Sequence, residues 1–329
     1  MLRNFVNRHD ARAIVDKLRS DGVATLFRRF GKRRAARVAD AWADAPDDDQ
    51  WWVIDAVRRR WGEKISGDAD VDVPRYVCER YLRGRIGLDA LMVGCGSGHS
   101  VPRWAATGVF RRIDAFDVAP GQVARAQACA AEHALDGLVH VRLADAATVD
   151  LGDGSYDVIV AEQALHHLSP LASILARLAR ALRSGGLLVV DDFVGPTRHQ
   201  WMPRQLEAAN ALLAQLPRAC RRLRSGHVKD QVVRPSIARM ILSDPSEAVE
   251  SSRILPLLRE SFEVLDVRGY GGTLLEPVLS GIAHNFVGSD ADTQRLLAMC
   301  FAVEDAMLAT GELTHDFVVV VARPRACGA

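Results

Sequence analysis

The 329-residue chain has only four lysines, Lys17, Lys32, Lys64 and Lys229, and its many arginines are scattered among acids. Formal net charge is +1, so no global field draws it to nucleic acid or to an acidic membrane, and a small acceptor is expected instead of a polyanion. We read the arginine preference as the coding bias of a GC-rich bacterial genome. Runs such as Arg58-Arg59-Arg60 and Arg221-Arg222 read as solvated helix faces. Long apolar stretches are also missing: none approaches the roughly eighteen residues of a membrane-spanning helix, and the start, MLRNFVNRHDAR, lacks the apolar centre of a signal peptide. The six cysteines (Cys78, Cys95, Cys129, Cys220, Cys300, Cys327) lie far apart, with no Cys-x-x-Cys pair and no Cys/His spacing of a zinc site. They are expected to be reduced and individually buried, in a soluble cytoplasmic protein with no membrane partner.

What is present is apolar residue, 49% of the chain, enough for one large or two modest domains with a sizeable core. Residues 1–85 show helical periodicity, with Trp51, Ile54, Val57 and Trp61 spaced to share a face, and read as a helical N-terminal extension or lid. From about 88 short apolar runs alternate with helical segments, the pattern of βαβ units. Strands are expected at 89–93, 112–117, 139–144, 156–161 and 187–192, with helices at 102–107, 121–133 and 171–182. Residues 195–261 read as a helical insertion, with QLEAANALLAQLPRACRRL one amphipathic segment. FEVLDV (262–267) and HDFVVVVARP (315–324) complete the sheet in a C-terminal section, 262–329. The fold class expected is α/β, a Rossmann-like seven-stranded sheet whose last strand is antiparallel, with the core at 86–194.

LMVGCGSGHS (91–100) takes an apolar strand into glycines and then a helix, which brings backbone N–H groups and a helix N-terminus close to a ligand. The dinucleotide fingerprint needs G-x-G-x-x-G. Here Gly94, Gly96 and Gly98 give G-x-G-x-G, and His99 stands next. At the end of the following strand Asp117 can accept hydrogen bonds from both hydroxyls of a ribose, which suits any nucleoside cofactor. Asp145, just after the third strand, can approach an adenine amino group. YDVIVAEQALHHLSP ends the fourth strand in a turn leading to a helix.

The ordered stretches ALMVGCGSG, IDAFDVAPGQVARA, LADAATVDL, SYDVIVAEQALHHL and LARALRSGGLLVVDDF resemble the class I S-adenosylmethionine-dependent methyltransferases over about residues 86–194. WWVIDAVRRRW…ISGDADVDVPRYV and DDFVGPTRHQW look like parts of a bacterial small-molecule subgroup of that family. The resemblance implies S-adenosylmethionine as cofactor. It implies that the Gly94, Cys95, Gly96, Ser97, Gly98 loop wraps the methionine part, Asp117 and Val118 the ribose, and Asp145 with Ala146 the adenine, Glu162 completing the set. Cys95 reads as a buried loop residue and not as a nucleophile.

Methyl transfer is an in-line displacement in which the protein mainly aligns the partners and keeps water out. If the acceptor is a hydroxyl, a protonated amine or a thiol, a base is useful, and His166 or His167 is the candidate, with Asp191 as a further catalytic acid or base. If it is a thioether or tertiary amine, Glu162, Asp191, Asp192 and Trp201 could instead stabilise a new cation. Asp192, Arg198, His199 and Trp201 are candidate acceptor-binding residues, the arginine and histidine suiting a carboxylate, and Ser66 with Asp68 a candidate lid loop. No metal is expected: Asp191 and Asp192, adjacent on a strand, point to opposite faces. The alternatives are an NAD(P)-dependent oxidoreductase, a nucleic-acid methyltransferase, or a scaffold without turnover. EQAL after the fourth strand differs from the Asn/Asp-Pro-Pro-aromatic motif of many base-modifying enzymes. A homodimer stays open.

Overall fold

The computed structural model describes residues 50–325. MLRNFVNRHDAR, Lys17, Lys32, the first 49 residues of the expected N-terminal extension and Cys327 lie outside the described residues. Seven strands form one sheet in the order β3-β2-β1-β4-β5-β7-β6: β1 Leu88–Val93, β2 Phe110–Asp117, β3 Val139–Leu143, β4 Tyr156–Glu162, β5 Leu182–Phe193, β6 Phe262–Gly271 and β7 Phe317–Pro324. The first five run parallel, and β7 pairs antiparallel with both β5 and β6, as the sequence pattern predicts.

The inner strands β1, β4, β5 and β7 read as near-continuous apolar runs because both faces are covered, whereas the edge strands β3 and β6 mix polar residues in; alternate residues serve different layers. Ala90, Met92, Val158, Val160, Leu187 and Val189 face a core completed by α1 (Asp55–Ser66), α2 (Val73–Tyr81) and residues from α10 (Ala291–Ala309). Leu91, Val93, Ile159, Ala161, Leu188 and Val190 face the other side, under α5 (Leu171–Ala181) and α8 (Ile254–Ser261). The remaining helices are α3 (Val101–Ala105), α4 (Pro120–Glu132), α6 (Pro203–Gln215), α7 (Ile237–Ser243) and α9 (Leu275–Leu279).

The expected helical face over 51–61 starts instead as a 3₁₀ turn, Trp51–Val53, and becomes α-helix at Asp55 after an extended Ile54. The apolar residues still converge, with the Trp51 and Trp61 rings 4.8 Å apart. QLEAANALLAQLPRACRRL is not one helix: α6 ends at Gln215, Leu216 is extended before Pro217, and Arg218–Arg221 is a separate 3₁₀ turn. Proline disfavours the helical conformation at the residue before it and supplies no N–H. The 195–261 segment is also less of a unit than expected, because its last helix, α8, is part of the layer covering the sheet.

The N-terminal helix is tied to the far end of the chain by charge. Arg60, 6% exposed, donates to the fully buried Glu304 at 2.9 Å, to Asp305 at 2.8 Å and to the Tyr270 carbonyl. Glu304 uses its other oxygen to accept from the Leu274 and Leu275 N–H groups at the start of α9. Among the described residues no helix is long and apolar enough to cross a membrane.

Candidate functional site

Because β1 to β5 run parallel, their carboxyl ends share one edge, where an open α/β sheet binds its ligands. Gly94, Asp117, Asp145, Glu162 and Asp191 all stand there, at or just after β1, β2, β3, β4 and β5. The loop after β1 is held by side chain and backbone together. Asp117 Oδ2 accepts from the Gly96 N–H at 3.0 Å, its Oδ1 from the Ala119 N–H at 2.8 Å, and the Cys95 N–H donates to the Phe116 carbonyl. A carboxylate has about four lone-pair sites, so two ribose hydroxyls can still be accepted. Val118 is half-buried in the turn between, and Ser97 is half-buried in the loop. Asp145 caps its own turn by accepting from the Ala147 N–H at 2.9 Å, and Ala146 is buried behind it.

The glycines differ in task. All three have positive φ: +60° at Gly94, +53° at Gly96 and +79° at Gly98. A Cβ on Gly98 would sit 2.9 Å from the Cα and Cβ of Ala126 in α4, and one on Gly94 3.1 Å from the Ala164 Cβ, so these two pack the loop against the protein. A Cβ on Gly96 would meet nothing within 4 Å, which leaves that space to a ligand. Gly98→Ala should therefore cost about 3 kcal/mol of stability through strain and overlap, a melting temperature lower by roughly 5 °C or more. Gly96→Ala should leave melting within a few degrees and weaken cofactor affinity about tenfold; calorimetry and thermal melting on the pair check the contrast.

Cys95 is buried, and its thiol is pushed up to about 12 by burial, with Asp117 adding to it. At pH 8 about one molecule in ten thousand would carry the thiolate. Peptide mass spectrometry after iodoacetamide at that pH should find Cys129 and Cys220 alkylated and Cys95 intact, in keeping with a packing role.

Glu162 is clamped by α3: Trp104 Nε1–H donates to Oε1 at 2.8 Å and Arg103 to Oε2 at 3.2 Å. Arg103 also lies 3.7 Å from Asp72, so it links this acid to the N-terminus of α2. Asp191 pairs with Glu162 across the β4/β5 ladder and accepts from the Tyr270 hydroxyl at 2.5 Å. Burial first, and the Glu162 charge second, push its carboxyl up to about 7.

Asp192 points to the opposite face, as its place beside Asp191 requires. Expected as an acceptor-binding residue, it is fully buried and committed to the protein. Oδ2 accepts from the Ala164 and Leu165 N–H groups at 3.1 and 2.7 Å, and Oδ1 accepts from His166 Nδ1 at 2.5 Å. The pair turns His166 Nε2 outward, 3.9 Å from Glu247 Oε1. The His167 ring packs tilted at 45° with its centre 3.9 Å from that of His166, with Nδ1 at 3.3 Å from Ser246 Oγ and Nε2 at 4.0 Å from Glu247 Oε2. His199 Nε2 is 3.0 Å from Glu247 Oε1, and its ring stacks on Phe193 and contacts Trp201. Burial disfavours protonation of His166, but the Asp192 charge and hydrogen bond outweigh it and raise its pKa. His167 is lowered by burial and by its neighbour His166. Burial also opposes a charge on Glu247, yet His167, the His199 hydrogen bond and His166 hold it well below the usual carboxylate range.

Arg198, expected to meet an acceptor carboxylate, instead donates its guanidinium to the carbonyls of Asp244, Pro245 and Glu247 and its N–H to that of Ala248, fixing the turn that carries Glu247. Ser66 and Asp68 are tied into the turn ending α1: Ser66 Oγ lies 2.8 Å from the Gly62 carbonyl and 2.9 Å from that of Asp68, either of which can take its one proton, and it accepts from the Asp68 N–H. Of five non-glycine residues with left-handed φ among those described, Gln163, Arg198, His199 and Ala248 flank this cluster; such strain collects where the fold holds a site in shape. Sequence reasoning missed Glu247, Tyr270, Trp104 and Arg103. Trp104 was signalled by the helix after the glycine loop, whereas nothing local marks Glu247.

Residues 91–190 match a family model described as "Methyltransferase domain". The chain is 33% identical over 110 residues to the 27-O-demethylrifamycin SV methyltransferase of Amycolatopsis mediterranei (strain S699), a match covering 33% of this chain and 40% of that one. It is 34% identical to the nocamycin O-methyltransferase of Saccharothrix syringae, covering 41% of this chain and 49% of that one. The matched region thus spans under half the length of these curated relatives. The solved geranyl diphosphate C-methyltransferase of Streptomyces coelicolor A3(2) shares the fold at a TM-score of 0.51 and 12% identity, over 90% of this chain and 99% of the other.

Proposed function

We propose that this chain, whose residues 91–190 are a class I S-adenosylmethionine-dependent methyltransferase domain, transfers a methyl group to a hydroxyl of a small-molecule acceptor. The observation that carries the reading is the shared sheet edge: the Gly96 opening with Asp117 and Asp145 on one side, and the buried His166 with the half-buried His167 and Glu247 on the other. The oxygen acceptor is favoured by the two relatives, one named an O-methyltransferase and the other a methyltransferase of an O-demethyl compound, and by the need of an O–H acceptor for a group that receives its proton.

The bound cofactor supplies a methyl group already activated on a sulfonium. Gly96 lets the backbone approach it, Asp117 takes the ribose hydroxyls, and Asp145 faces the adenine. Alignment of this kind is worth up to about 7–11 kcal/mol in well-oriented cases. The cluster after β4 and β5 receives or stabilises the charge of the deprotonated acceptor, with Asp192 fixing His166 and His199 fixing Glu247. Tyr270 and Asp191 close the other side of the strand ends. Segment 195–253 and the turn after α1 serve as cover over the acceptor. The five well-separated free cysteines among the described residues fit the reducing cytoplasm.

Calorimetry tests the reading. S-adenosylmethionine or its demethylated product should bind with a Kd on the order of micromolar, and NAD should not. Binding of NAD and not of these would overturn it in favour of an oxidoreductase.

A further inference from the structure

We propose that His166, His167 and Glu247 bind a divalent transition-metal cation through the two imidazole Nε2 atoms and the carboxylate. Each of the three offers a ligand atom, and these atoms all lie within 4.8 Å of one another. His166 Nε2 is 3.9 Å from Glu247 Oε1 and His167 Nε2 is 4.0 Å from Glu247 Oε2. A tetrahedral ion with bonds of about 2.1 Å sets its ligands about 3.4 Å apart, so side-chain shifts that contract these separations by up to about 1.4 Å close the site.

The groups behind the ligands supply the second argument. A metal-bound imidazole needs its other nitrogen held so that tautomer and ring plane are fixed. His166 Nδ1 is held by Asp192, itself locked by two backbone N–H groups. His167 Nδ1 faces Ser246 Oγ, which is tied to Asp244, and Glu247 Oε1 is met by His199 Nε2. Each imidazole is therefore braced from the rear, and the carboxylate is held at Oε1. Charge agrees as well: the carboxylates of Asp192, Glu247 and Asp244, the last 3.9 Å from His167 Nδ1, surround the two imidazoles and favour a cation among them. Two imidazoles and one carboxylate suit a zinc-, manganese- or iron-type ion better than magnesium, and a three-ligand set leaves positions open for an acceptor oxygen. The ligands come from the turn after β4 and from the turn between α7 and α8, so the ion would also pin those two segments together.

That an acceptor oxygen meets the ion rests on the methyl-transfer reading; binding of the ion does not. The test is calorimetry and visible absorption with Co2+, and calorimetry with Zn2+, on chelator-stripped full-length protein. One equivalent should bind, Co2+ should gain d–d bands of imidazole ligation, and His167→Gln and Glu247→Gln should each weaken affinity at least tenfold, while the exposed His140→Ala should not. Melting curves check that the variants fold. Absence of stoichiometric binding, or binding indifferent to both substitutions, overturns the proposal. S-adenosylmethionine binding on the same stripped protein separates the two readings: cofactor without cation sinks only this one, and cation without cofactor sinks only the other.

Discussion

Asp192→Asn should lower turnover of any acceptor the unaltered protein methylates by about 10²- to 10⁴-fold, while the Kd for S-adenosylmethionine stays within about threefold. The amide can still accept from the Ala164 and Leu165 N–H groups, which limits the damage to the fold. Its NH2 then faces His166 Nδ1, so the imidazole must accept there and carry its proton on Nε2, pointing into the cluster. A nitrogen so protonated can neither take a proton nor bind a cation. Initial rates of demethylated-cofactor formation, together with calorimetry, check both halves. Turnover within threefold of the unaltered protein would remove this histidine from the reaction. Asp192→Ala is a poorer probe, since it strands two buried N–H groups at about 1–3 kcal/mol each.

Asp117→Ala should weaken S-adenosylmethionine binding by about 10²-fold or more and abolish the rise in melting temperature that the cofactor gives. Hydrogen bonds to a charged acceptor contribute about 1.5–3 kcal/mol each, and two ribose hydroxyls are lost together. The change also removes the brace on the Gly96 N–H, so the loop loses its shape as well as its partner. Thermal shift at saturating cofactor reports the loss directly, because a ligand that binds only the folded state stabilises it by mass action. Unchanged affinity would mean that the nucleoside does not lie over β2.

The strand positions were legible because the inner strands of a sheet buried on both faces are written as short apolar runs, as in ALMV and VVVV, but the strand order was not. The placement of the residues proposed to hold the cofactor was legible for a related reason: Gly94, Gly96, Gly98, Asp117 and Asp145 each stand beside the strand that positions them. The cluster proposed to face the acceptor was only half legible. His166 and His167 stand next to β4, but Glu247 arrives from a distant turn held by Arg198, a contact no local pattern signals. Asp192 and Arg198 carry the right chemistry for a ligand, yet the fold spends them on bracing the residues around it.

The Arg60 to Glu304 pair makes the chain indivisible in a practical sense. A shortened protein beginning at the sheet, near residue 86, would keep every residue of the glycine loop but leave Glu304 buried with no counter-ion, a penalty of about 3–5 kcal/mol. Chimaeras that graft this sheet onto the helices of a relative face the same constraint. The piece that can be exchanged between proteins is the sheet together with α1 and α10, and a swap that separates those two helices should yield insoluble chain.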